Sequence, residues 1–428
     1  MNALSGLMVW PDFSVLIGPL ALFAGIVSFL LTLNAARPLF MGGSTLGIFS
    51  FFSGWLVAEL AAHHLIAQGL VFAFFLALGA LGSWQGVLGI VLGGLSSGLL
   101  LRLHRRAYLT DESVKDALEE ALGEEFDAEL ALASESERLP IRQLLFPFSY
   151  RDRRVERLPD EIVHEFEDGL TLRADVYRRA DAPENAPMLV YFHGGAWVLG
   201  FKRYQGLPFM SRLAAHGWVC VSVDYRRSPR YRFPAHLEDA KRGVAWAREH
   251  AERLGADPSF IVVSGNSAGA HLASLVALTP DRPELQPGFE DADTSVAACV
   301  SFYGVYDFLN RGGHFKRFGL RFLVERLVIG MKAEENHEAR SLYSLASPID
   351  HVHPDAPPFF IVHGEFDSLV PVGEARDFAR ALREISRSPV IYAEIPGAQH
   401  AFEVFRSVRA HLTLRAIVGF LNHLAKRP

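Results

Sequence analysis

Only two cysteines occur in the 428 residues, Cys220 and Cys299, each inside an apolar, strand-like run. Two such thiols cannot make a disulfide framework and are expected as buried free cysteines. No C-x-x-C or H-E-x-x-H pattern occurs, so nothing in the sequence asks for a metal or another cofactor. Positive charge is also short. Lys and Arg number 42 against 48 Asp and Glu, a net charge of −6, which gives no support to a nucleic-acid partner. The third shortage is local: between Phe13 and Leu101 the acidic and basic side chains are Arg37 and Glu59 alone.

That local shortage points to a bilayer as partner. Phe13 to Ala36 is uncharged and long enough to span one. Met1 to Asp12 has no Lys or Arg, so the stretch reads as a retained anchor and not a cleaved signal. Residues 41–62 make a second expected span, ending near Glu59. Residues 69–101 make a third; as one helix it would be ~50 Å long against a hydrocarbon core of ~30 Å, so it either projects or breaks near Ser83-Trp84-Gln85. Arg37 follows the first span and Arg102, Arg105 and Arg106 the last. The positive-inside rule then favours three crossings, with the carboxyl-terminal part in the cytoplasm. Gly82, Gly86, Gly89, Gly93 and Gly98 suit close helix packing, within the bundle or between chains of a homo-oligomer. Glu59, His63 and His64 are expected at a membrane interface and less so as an intramembrane site.

The organisation expected is a transmembrane domain over 1–106, a connecting segment over 107–158 and a catalytic domain over 159–428. Thr110 to Glu129 has a helical pattern with Val114, Ala117, Leu118, Ala121 and Leu122 on one face, and reads as a solvated linker helix. Residues 141–157 put Leu144, Leu145, Phe146 and Phe148 ahead of Arg151, Arg153, Arg154 and Arg157. This segment suits a lid, an interfacial segment or ordinary packing.

After Pro159 short apolar runs alternate with helical stretches, the mark of an α/β domain with a mainly parallel sheet. Eight strands are expected: 161–167, 170–177, 188–192, 219–223, 260–263, 297–302, 359–362 and 390–395. Helices are expected at 236–254, 268–278, 372–386 and 404–425. The fifth strand runs straight into Gly265-Asn266-Ser267-Ala268-Gly269 and then into a helix, the context that a nucleophile elbow requires. The third strand ends in His193-Gly194-Gly195-Ala196-Trp197, a turn poor in side chains whose amides can approach a carbonyl oxygen. The amides of Gly195, Ala196 and Ala268, with Gly194 as a further donor, are the expected oxyanion hole. An acid should leave a strand after the nucleophile and a histidine the next one. Asp367 and His400 fit those places, with Glu365 and Asp307 as rival acids, while His351, His353 and His363 read as loop histidines.

These segments, with Asp224-Tyr225-Arg226 and Pro234-Ala235 with Asp239, resemble the hormone-sensitive-lipase-like branch of the α/β-hydrolases over residues 160–428. The whole chain is similar to bacterial carboxylesterases that carry an amino-terminal membrane domain. The resemblance implies an ester hydrolase working through Ser267, His400 and Asp367 by an acyl-enzyme, without a cofactor, at a bacterial inner membrane. Ala196 stands where that branch usually has glycine, which leaves an amidase or formamidase as the alternative. A non-catalytic hydrolase-like module and a transporter with an appended hydrolase fit less well: the serine, the histidine and the oxyanion-loop glycines Gly194 and Gly195 are present, and the spans carry no set of paired charges.

Overall fold

A computed structural model of the chain describes residues 14–426 except 42–43, 124–125, 127–140, 151, 182–183, 281 and 317–318. The first thirteen residues, most of the expected helix beyond Leu122, and Arg151 therefore lie outside the described residues.

Alternation of apolar side chains in the carboxyl-terminal two thirds builds one sheet of eight strands. They are β1 (Val155–Glu165), β2 (Thr171–Arg179), β3 (Ala186–Phe192), β4 (Val219–Val223), β5 (Ala256–Asn266), β6 (Ala298–Phe302), β7 (Phe359–Gly364) and β8 (Val390–Ile395). Their order is β1-β2-β4-β3-β5-β6-β7-β8. β1 and β2 are antiparallel, β2 joins β4 antiparallel, and β3 to β8 run parallel. Successive residues of a parallel strand must feed opposite faces, and β3 shows it. Met188, Val190 and Phe192 enter one core, Leu189 and Tyr191 the other. The sheet is a central layer, and the carboxyl ends of β3, β5, β7 and β8 lie at one edge, where open α/β sheets hold their ligands.

The helical region holds two or, with one bent pair, three candidate spans, and its helices have other bounds than expected. α1 (Ser14–Ala36) fits the first, but the rest divides into α2 (Thr45–Glu59), α3 (Ala61–Ala77) and α4 (Trp84–Ala107). The third expected span breaks before Ser83, which caps α4 by accepting the Gly86 amide. The second ends at Leu60, where α2 and α3 meet at 87°. Val15–Ala36 and the run from Trp84 are long and apolar enough to cross a membrane, while α2 and α3 reach that length only as a bent pair. Small residues set the packing. A Cβ on Gly25 would lie 2.4 Å from the Gly89 carbonyl oxygen, and Ser96 Oγ donates to the Ser28 carbonyl, so α1 and α4 run parallel. Phe72 seats on Gly93 while Ser96 Oγ lies 2.9 Å from Gln68, so α3 runs antiparallel to α4. Gly82 and Gly98 face open space.

The connecting helix is not a solvated linker. α5 (Leu109–Leu122) buries Val114, Ala117 and Leu118 in the core that also holds Ile391, Ile417 and Leu421. Fully burying a Leu or Val contributes roughly 1.5–3 kcal/mol, so α5 belongs to the sheet's outer layer. In the segment after it, Leu145, Phe146 and Phe148 are exposed, although Phe148 meets Phe405 edge-on.

Candidate active site

β5 runs to Asn266, and Ser267 then turns sharply, with φ 55° and ψ −118°, into the helix α6 (Ala268–Leu278). A side chain in that region of backbone space is strained by ~1–3 kcal/mol. The turn survives because its neighbours leave it no room to relax. A Cβ on Gly265 would lie 2.4 Å from the Gly269 carbonyl carbon, and one on Gly269 only 2.0 Å from the Phe192 oxygen. The Ser267 amide donates to the Phe302 carbonyl at 2.9 Å, tying the turn to β6. Ser267 is half-buried at the edge of the sheet.

The loop after β3 lies beside it. Ala196 has φ 54°, the left-handed region where glycine would be at ease, so alanine keeps the conformation that the motif needs. Gly194 corrects the expected oxyanion hole. Its amide already donates to Asn266 Oδ1 at 2.7 Å and Gln205 Oε1 at 2.6 Å, and so faces inward. Among the described residues no acceptor sits on the amides of Gly195, Ala196 or Ala268, which are the donors left. His193 and Trp197 are buried supports: His193 stacks on Tyr225, and Trp197 Nε1 donates to His271 at 3.2 Å.

Asp367 leaves β7 and His400 leaves β8. His400 Nδ1 lies 2.6 Å from Asp367 Oδ2, and Asp367 Oδ1 accepts from the amides of Leu369 and Val370. Burial would raise the Asp367 pKa, but His400 and His363 outweigh it and hold the carboxyl down at about 2. The rival acids are engaged elsewhere. Glu365 pairs with Arg106 and accepts the Gly397 amide, and Asp307 pairs with Arg311. His363 is a correction: it lies in β7, fully buried, with Nε2 3.3 Å from Asp367 Oδ2 and 2.9 Å from the Val370 carbonyl. Arg226 pairs with Asp239 and Glu238, which holds the segment after β4 to the helix that follows it.

Sequence reasoning missed Glu403. It is 1% exposed, and its Oε1 accepts from Tyr303 Oη and, at 3.3 Å, from Asn266 Nδ2. Asn266 in turn holds Gly194, so one buried carboxylate links the histidine loop, the elbow and the β3 loop. Its signal was a charge set between Phe402 and Val404. Glu59, expected at a membrane interface, is buried against Arg409 and Ser407 of the sheet domain. Among the described residues no group of three or more His, Cys, Asp or Glu is placed to hold a metal.

The strand order and the turn at Ser267 define an α/β-hydrolase. The family described as BD-FAE matches residues 174–382. LipM of Mycobacterium tuberculosis, a probable carboxylic ester hydrolase, is 40% identical over 415 residues, covering 94% of this chain and 92% of its own. Esterase LipQ of the same organism is 46% identical over 250 residues, 58% of each chain. Among solved structures, a butyrate-bound thermophilic esterase from Thermogutta terrifontis superimposes with a TM-score of 0.52 at 27% identity, covering 64% of this chain and 97% of its own. The chain belongs to the carboxylic ester hydrolases of the hormone-sensitive-lipase-like branch of the α/β-hydrolases. The LipM match takes in the helical region as well as the sheet.

Proposed function

We propose that the chain is a membrane-anchored serine hydrolase that cleaves carboxylic esters through Ser267, His400 and Asp367. The observation that carries this reading is the 2.6 Å contact between His400 Nδ1 and Asp367 Oδ2, taken with a serine held in an elbow turn at the end of β5. With Nδ1 engaged, Nε2 is the nitrogen left for the serine. His400 takes the Ser267 proton as Oγ attacks the ester carbonyl, and the amides of Gly195, Ala196 and Ala268 hold the oxyanion. Collapse expels the alcohol, which receives the proton from His400. Water, deprotonated by the same histidine, then releases the acid from Ser267.

Anchoring is supported by the run of exposed apolar side chains, Val15, Leu20, Phe23, Leu30, Phe74, Val91 and Leu95 among them. If α1, α3 and α4 each cross, the chain makes three passes. Arg37 and the Arg102–Arg106 cluster then lie at one end, which the positive-inside rule places in the cytoplasm with the hydrolase domain. A bilayer concentrates lipid-soluble esters, so acyl lipids are the substrate class proposed. The test is hydrolysis of nitrophenyl esters from acetyl to palmitoyl by the full chain in detergent, with Ser267→Ala beside it. A Ser267-dependent rate persisting at long chains supports the reading. A rate confined to short chains removes the lipid substrate, and a folded protein active only on formamides removes the ester.

A further inference from the structure

α2 does more than connect two helices. Gly47, Phe51 and Trp55 recur every four residues and therefore share one face. That face meets the two loops that carry the acid and the histidine. Ser368 Oγ, one residue beyond Asp367, donates to the Gly47 carbonyl at 3.0 Å. Trp55 Nε1 donates at 2.9 Å to the carbonyl of Ala401, one residue beyond His400. Ala401 has φ 59°, a left-handed conformation that a non-glycine residue keeps only when its surroundings hold it. Between these contacts Phe51 is buried, its ring edge-on to the His400 imidazole at 6.1 Å. One turn further, Glu59 pairs with Arg409. A neighbouring side of α2 is held by α1, where Asn34 Nδ2 donates to the Ser50 carbonyl at 2.7 Å. α4 adds a second grip: Arg106 pairs with Glu365, whose carboxylate also takes the Gly397 amide and so joins the acid and histidine loops.

We propose that α2 is a positioning element of the catalytic centre. Its Gly47, Phe51 and Trp55 face holds the backbone next to Asp367 and His400, so turnover depends on the helical region and not on the sheet domain alone. The proposal rests on the triad reading above. It differs from simple tethering, in which the helices supply only an address and the loops hold themselves.

The test uses the full chain in detergent and a short soluble ester, nitrophenyl acetate, so that delivery from lipid plays no part. Gly47→Ala is the first variant. Alanine is the better helix former, but its Cβ would lie 2.6 Å from the Ser368 carbonyl oxygen and push the acid loop away. Trp55→Phe, which keeps a ring and removes the donor, is the second, and decides the matter if the first fails to fold. Phe49→Ala, on the opposite, exposed side of the same helix, is the control. Displacing a catalytic group by 1 Å lowers rate by ~10²-fold. The expected result is therefore a kcat lower by about tenfold or more in both variants, with KM and melting temperature held and Phe49→Ala unchanged. Wild-type kcat in both, with Ser267→Ala inactive, overturns the proposal and leaves the triad standing. A raised KM at unchanged kcat overturns it too, because α2 would then shape substrate entry only. Full activity in Ser267→Ala overturns the triad reading and this one with it.

Discussion

Replacing Glu403 by glutamine should change how stability depends on pH, with a sign that the structure dictates. The carboxylate is 1% exposed, and Oε2 has no partner among the described residues. Burial pushes its pKa up from 4.5 to about 7, against the opposing hydrogen bonds from Tyr303 and Asn266. An acid with a raised folded-state pKa holds a proton that the unfolded chain has already released. Stability therefore falls as pH rises from about 4.5 to about 7, then levels off. Each pKa unit is ~1.4 kcal/mol, so the loss is on the order of 3 kcal/mol. Glu403→Gln cannot ionise but keeps an acceptor for Tyr303. Its new NH₂ takes the unpartnered place, a penalty common to all pH values, so the test is a difference of differences. Melting temperatures of both proteins in one detergent at pH 5 and pH 8.5 supply it. About 2.5 kcal/mol of that loss falls between the two pH values, so at roughly 2–4 °C per kcal/mol for a domain of this class the variant should gain about 5–10 °C on wild type. Parallel profiles would refute the reasoning and mean that Glu403 stays ionised in the fold.

Two further outcomes follow from packing and charge. Gly269→Ala must move its Cβ, 2.0 Å from the Phe192 oxygen, by about an ångström, so esterase activity should fall ~10²-fold; wild-type activity would show that the elbow relaxes freely. Glu59→Gln strands the buried Arg409 guanidinium and should lower stability by ~3–5 kcal/mol, whereas Glu59→Leu with Arg409→Met should recover most of that, as measured by thermal unfolding in detergent.

The sheet was legible because burial on two faces writes itself into the sequence as short apolar runs. β4 and β8 have the expected bounds, and so does α6. β5 was read as four residues and has eleven, because it also takes in Ala256 to Ser259, where Pro258 and Ser259 are exposed and burial does not select apolar residues, and the polar Ser264-Gly265-Asn266 that leads into the elbow. The elbow and the Asp367–His400 pair followed from strand ends and chain order. Hydropathy did not show where α2 would pack, for a simple reason. Apolar composition registers that a helix avoids water, not whether lipid or protein covers it. α2 looks like a span in Phe49-Ser50-Phe51-Phe52, yet Phe51 is buried beside His400 while Phe49 and Phe52 are exposed. Glu59 was the available hint. A carboxylate closing an apolar run needs a cation, and Arg409, 350 positions away, could be matched to it only in three dimensions.

The central claim is that Ser267 is the nucleophile, held ready by His400 and Asp367. The most direct measurement is to treat the full chain in detergent with a fluorophosphonate ester and locate the adduct by peptide mass spectrometry. One phosphonyl group is expected, on Ser267, with activity lost in step with labelling and labelling lost in His400→Ala. An adduct on another residue, or activity that survives full labelling of Ser267, would contradict it.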